Sequence, residues 1–153
     1  MMKLPYTLTA LAACTLCAAS AWAQPPAPLT AASASLSCPP ASAMDHRHLQ
    51  GTWSAQFQGN PPDAQLRLGP HPELTESVRG TLQRGSLTAQ VVGAVDAGAL
   101  SLEESDDGKR ISASWTGQVV EGSCGKEIQG TWTPTASPER KIPFVMRKQG
   151  GWQ

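Results

Sequence analysis

From about His48 onward, apolar and polar residues alternate in short runs, interrupted roughly every eight to twelve positions by residues suited to turns. Eight runs read as strands: His48 to Gln58, Gln65 to Gly69, Glu76 to Gln83, Ser86 to Val95, Ala99 to Glu104, Lys109 to Val120, Lys126 to Pro134 and Lys141 to Lys148. The breaks include Asn60-Pro61-Pro62-Asp63, Arg84-Gly85, Asp96-Ala97-Gly98, Asp106-Asp107-Gly108 and Glu121-Gly122-Ser123, each with a residue that accepts positive φ or presets a bend. After Ser42 no apolar pattern keeps helical spacing for two turns, so the domain is expected to be nearly all β. Sequential strands joined by short turns pair with their neighbours, and about eight of them can curl until the first meets the last, which removes exposed edges. The expected fold is a small antiparallel up-and-down barrel.

Alternation also assigns faces. In the first strand Trp53, Ala55 and Phe57 share the inner side, while Thr52, Ser54, Gln56 and Gln58 share the outer one. The sixth turns Ile111, Ala113, Trp115 and Val119 inward, and the seventh Ile128, Gly130 and Trp132. Trp53, Trp115 and Trp132 are thus expected in one interior. They are the candidate ligand-binding residues, although an inward ring is more often core. The tripeptides Gly51-Thr52-Trp53 and Gly130-Thr131-Trp132 repeat near the two ends of the domain, and matching strand roles or chance both account for that. Ala55, Ala89, Ala113 and Gly130 are small inward residues that either leave room for a ligand or interlock with the large rings.

Gly51-Thr52-Trp53, the meander, and Ser114-Trp115-Thr116-Gly117-Gln118-Val119 resemble avidin-type and lipocalin-type barrels. The resemblance implies a barrel that takes a small molecule at its open end. It does not extend to biotin: after the opening tripeptide the avidin pattern places an asparagine and then a serine, whereas this chain reads Ser54-Ala55-Gln56-Phe57-Gln58.

The start of the chain changes the picture. Lys3, the apolar run to Ala19 and the small residues Ala21 and Ala23 around Trp22 read as a signal peptide over residues 1–23, cleaved before Gln24. The run is shorter than the roughly 20 apolar residues of a spanning helix, so no transmembrane span is expected in the mature chain. Leu11-Ala12-Ala13-Cys14 also resembles a lipobox, which would make Cys14 a lipidated N-terminus and strand the Ala21-Trp22-Ala23 site inside the product. Residues 24–47 form a Pro/Ala/Ser-rich lead segment, and residues 48–153 the β domain. Cleavage leaves Cys38 and Cys124, an even pair in an exported chain, and hence an expected disulfide. Closing a loop of that span restricts the unfolded chain by about 4 to 5 kcal/mol. Free thiols or a metal pair are the alternatives, but Cys38 and Cys124 do not stand in a Cys-x-x-Cys spacing that would support them.

Charge narrows the partners. Twelve Lys and Arg balance twelve Asp and Glu, and the basic residues are scattered with never more than two together, so no stripe is expected to neutralise a row of phosphates and nucleic acid is not expected. Asp45-His46-Arg47-His48 offers two imidazoles and a carboxylate, but His71 is the only other histidine, so no metal site is assigned. Glu103-Glu104-Ser105-Asp106-Asp107-Gly108 lacks the spread of ligands of a calcium loop and reads as a hydrated acidic turn. Gly122-Ser123-Cys124-Gly125 fits a tight turn, and no Gly-x-Ser-x-Gly or Cys and His arrangement points to a nucleophile. No catalytic residue and no cofactor is assigned, and the chain is not read as an enzyme.

Two functions remain. One is a periplasmic or secreted barrel whose mouth binds a small apolar or amphipathic molecule against Trp53, Trp115 and Trp132. The other is an interaction or inhibitor module that meets an envelope or foreign protein through loops on a filled, mostly monomeric barrel, chiefly Gly59 to Ala64, Gly69 to Glu73 and Glu103 to Gly108. Trp152 either caps the barrel or belongs to such a surface.

Overall fold

The computed structural model describes residues 38–150. Residues 1–23, read as a signal peptide and including Cys14, the first part of the segment read as a lead, and Trp152 lie outside the described residues. Eight strands follow in order: β1 (Gly51–Phe57), β2 (Ala64–Pro70), β3 (Val78–Arg84), β4 (Leu87–Asp96), β5 (Ala99–Ser105), β6 (Ala113–Val119), β7 (Glu127–Pro134) and β8 (Ile142–Lys148). Each pairs antiparallel with the next, and β8 pairs with β1 to close the barrel. The closing register sets Trp53 opposite Lys148 and Phe57 opposite Phe144.

The strands form where alternation is cleanest. In β2, Ala64, Leu66 and Leu68 are buried while Gln65 and Arg67 are exposed, and β5 repeats the pattern with Leu100 and Leu102. Turn chemistry ends them: Gly85 takes a φ of 58° between β3 and β4, and Ala97 and Gly98 take 46° and 83° between β4 and β5, the positive-φ pair a two-residue hairpin loop requires. The outward residues Gln65, Arg67, Arg79, Thr81, Gln83, Thr88 and Gln90 are exposed and polar, a surface that suits water rather than the apolar belt of a lipid-facing barrel. Among the described residues no helix is long and apolar enough to cross a membrane.

Two regions depart from the sequence reading. The first strand begins at Gly51, because Asp45 caps a short helix α1 (His46–Leu49) and forms a capping box with His48. Residues 38–47, assigned by composition to the lead, pack against the barrel: a 3-10 turn spans Ala41–Ala43, and Met44 is as fully buried as Leu49. The sixth strand begins at Ala113, so Ile111 is not an inward residue but a loop residue, 45% exposed. The cause is local. The Asp107 carboxylate accepts the backbone N–H groups of Lys109 and Arg110, which bends the chain where the pattern alone would extend it.

The two ends of the barrel differ. At one, α1 and the preceding turn seal the interior, and the Cys38–Cys124 disulfide ties them to the β6–β7 connection with a Cα separation of 4.7 Å. The other end is framed by residues 58–63, 85–86, 106–112 and 135–141, and is called the mouth below.

Candidate functional site at the barrel mouth

The mouth is floored by a buried ion pair. Arg84 ends β3 on the inner face, in step with Val78 and Leu82, and Glu104 follows Leu100 and Leu102 inward on β5. Arg84 Nη2 donates to both Glu104 oxygens, at 3.0 and 2.8 Å. Ala64 stands opposite Arg84 and Ala113 opposite Glu104, and these small neighbours leave the two long side chains space to meet. Glu104 is therefore not part of a hydrated acidic turn: it is only 1% exposed.

Glu104 also organises the tryptophans. Trp115 and Trp132 face each other across β6 and β7, and both donate their indole N–H to Glu104 Oε2 at 3.0 Å. The Arg84 guanidinium lies 4.9 Å from the centroid of the Trp132 ring and 5.4 Å from that of half-buried Phe57. Phe57 packs at a tilt on Trp115 with centroids 5.3 Å apart. One donor is left over: Arg84 Nε is buried and has no partner among the described residues.

Trp53 does not join this cluster. It lies at the sealed end, where its indole N–H donates to Leu49 O at 2.7 Å and the Lys148 ammonium sits 5.5 Å from its ring centroid. Burial pushes Lys148 below the usual lysine range, with the charge of Lys126 adding to the effect. The two Gly-Thr-Trp tripeptides thus hold different ends of the barrel. Where Gly130 lets Thr116 O and the Phe144 ring come close, Gly51 meets only the Lys148 side chain. Trp53 and Trp115 have no exposure, and Trp132 retains 9%. The gap bounded by Met44, Leu49, Trp53, Val95, Val119 and Ile128 has no room for a water molecule.

Open space lies instead between the mouth loops. Asp106, Asp107, Arg110, Ile111, Ser112, Thr135 and Ala136 line a depression of about 570 Å³. Its longer loop is braced from within: Asp107 holds two backbone N–H groups and the Arg110 side chain, and Asp106 accepts the Ser112 hydroxyl at 3.0 Å. The Arg110 and Lys109 backbone N–H groups and then the Arg110 guanidinium hold the Asp107 carboxyl well below the usual carboxylate range. Ile111 remains exposed on this ordered loop.

Two of the three histidines hold local backbone. His48 belongs to the α1 capping box, and His71 Nδ1 accepts the backbone N–H groups of Glu73 and Leu74. Among the described residues no group of three or more His, Cys, Asp or Glu side chains is placed to hold a metal. Arg84 and Glu104 are the residues that sequence reasoning missed. Their signal was present in the alternation of β3 and β5, but each charge stood beside a turn and read as its solvated end.

Fold and site together define a closed eight-stranded meander barrel with a polar, aromatic floor at one end. No family model matches the chain, and no curated protein matches it either.

Proposed function

We propose that this is an exported binding module that engages another protein through the loops at the barrel mouth. The observation that carries this reading is the filled interior. Trp53 and Trp115 are fully enclosed, and the roomy concavity lies outside the strands, between residues 106–112 and 135–136. A braced loop that presents an exposed isoleucine suits recognition, because little ordering entropy is lost on docking. The disulfide supports export, since such bonds persist in oxidising compartments, and so does the signal-like start.

The second reading is a carrier of a small apolar or amphipathic molecule around Trp53, Trp115 and Trp132. What favours it is the unpartnered Arg84 Nε beside half-buried Phe57, a donor that a ligand oxygen reaching the mouth would satisfy.

Acrylamide quenching of tryptophan fluorescence separates the two, with Trp22 and Trp152 replaced by Phe. The interaction reading expects weak quenching that long-chain fatty acids and lysophospholipids leave unchanged. A photo-crosslinking residue at position 111 should then give one discrete protein adduct in the producing cell, while the same residue at position 81 on the barrel wall gives none. Strong quenching relieved by those lipids would overturn the interaction reading in favour of a carrier.

A further inference from the structure

We propose that the segment from Cys38 to Met44 is a thiol-released cover over the sealed end of the barrel, so that reduction of one disulfide uncovers an apolar surface while the barrel stays closed. The idea concerns the end opposite the mouth and does not rest on the mouth's role.

The seal is made of two parts held in different ways. The inner part, α1, runs directly into β1, buries Leu49, receives the Trp53 indole N–H on Leu49 O at 2.7 Å and the Lys148 ammonium on His48 O at 2.7 Å. The outer part precedes it and has far fewer attachments. Pro39, Pro40, Ser42 and Ala43 are exposed and bury little surface. What holds them is the bond to Cys124, the Met44 side chain, half-buried Ala41 against the core, a 2.9 Å exposed hydrogen bond from Ala41 N to Glu121 Oε2, and a 3.3 Å bond from Gly98 N to Met44 O.

Loss of the disulfide removes the only covalent anchor at the far end of this segment. What remains is non-covalent: the Met44 side chain, half-buried Ala41 and the two hydrogen bonds. Met44 packs without a water-sized gap over Trp53, Val95, Val119, Gly125 and Ile128, and a Cβ on Gly125 would come within 2.8 Å of its sulfur, so the surface Met44 covers is apolar and closely fitted.

Of the two cysteines Cys38 is half-buried. Cys124 is exposed and sits in the β6–β7 connection with a φ of 55°, a left-handed conformation that disfavours a side chain. A dithiol reductant attacks one sulfur as a thiolate and displaces the other through a mixed disulfide. The reductant ends as a cyclic disulfide, having given two electrons and two protons, and Cys38 and Cys124 become thiols.

Amide hydrogen exchange by NMR tests the proposal on the purified protein, oxidised or in excess dithiothreitol, with Cys38→Ser/Cys124→Ser as a reductant-free counterpart. Reduction is expected to speed exchange of the Gly98 N–H, which Met44 O protects, by about tenfold or more. The Trp53 indole N–H, protected by Leu49 O, and the strand amides should keep their rates. Unchanged Gly98 exchange would mean that the cover stays docked without the bond. A rise shared by Gly98, Trp53 and the strands would mean that the disulfide supports the whole fold. Either result overturns the proposal.

Discussion

Among the described residues, Arg84 and Glu104 form the one ion pair in which both side chains are buried. Both are withdrawn from water, and one carboxylate oxygen satisfies two indoles and the guanidinium. Removing one partner strands the other charge, so Arg84→Met or Glu104→Leu alone is expected to cost about 3–5 kcal/mol. The double substitution should cost less than the sum of the two, because it strands no charge. Urea unfolding of the four proteins checks this, and strict additivity would show that the pair is not coupled. Asp107 makes a different prediction. Its pKa is lowered in the folded protein, so its contribution to loop order is complete above the ordinary carboxylate range and is lost only as the pH falls below that range. A carboxyl carbon NMR titration should place its midpoint below 3.8, the usual aspartate value. A midpoint at or above that value would mean that the loop is not braced in solution.

At the scale of elements, the strands were legible because a period of two is imposed by the pleat and every strand has one wet and one dry face. All eight runs became strands, with boundaries displaced most where a side chain competes for the backbone, as Asp45 does before β1 and Asp107 does before β6. Close approach between strands was less legible. Gly130 faces Gly117 across β6 and β7, and a Cβ at Gly130 would collide with Thr116 O and lie 2.6 Å from Gly117 Cα. Gly130→Ala therefore forces the two strands apart and should destabilise the protein by about 1–3 kcal/mol, an overpacking cost. Thermal unfolding monitored by circular dichroism reads the effect. Gly150→Ala, which meets nothing within 4 Å, is the control, and equal melting temperatures for the two variants would refute the collision.

For the whole molecule, closure depends on β1 meeting β8, pairing Trp53 with Lys148 across most of the domain. Such distant pairing must be formed before it is repaid, so folding is expected in the range of milliseconds to seconds. Stopped-flow tryptophan fluorescence measures it, and a microsecond phase that completes folding would show that closure is not the slow event. The barrel itself was legible in the sequence: alternation, eight runs and short turns leave few ways to bury one face and remove both edges. The pairing of Cys38 with Cys124 was legible too, being the only pair left once the start read as a signal peptide is set aside. What tertiary structure alone decided is which inward residues share an end. Trp53 parts from Trp115 and Trp132, Arg84 finds Glu104 across an intervening strand, and residues 38–47 pack on the barrel as a seal. Periodicity assigns a side chain to a face. Its height within the barrel, and the partner waiting there, follow from the register between strands, which depends on the packing of the whole interior.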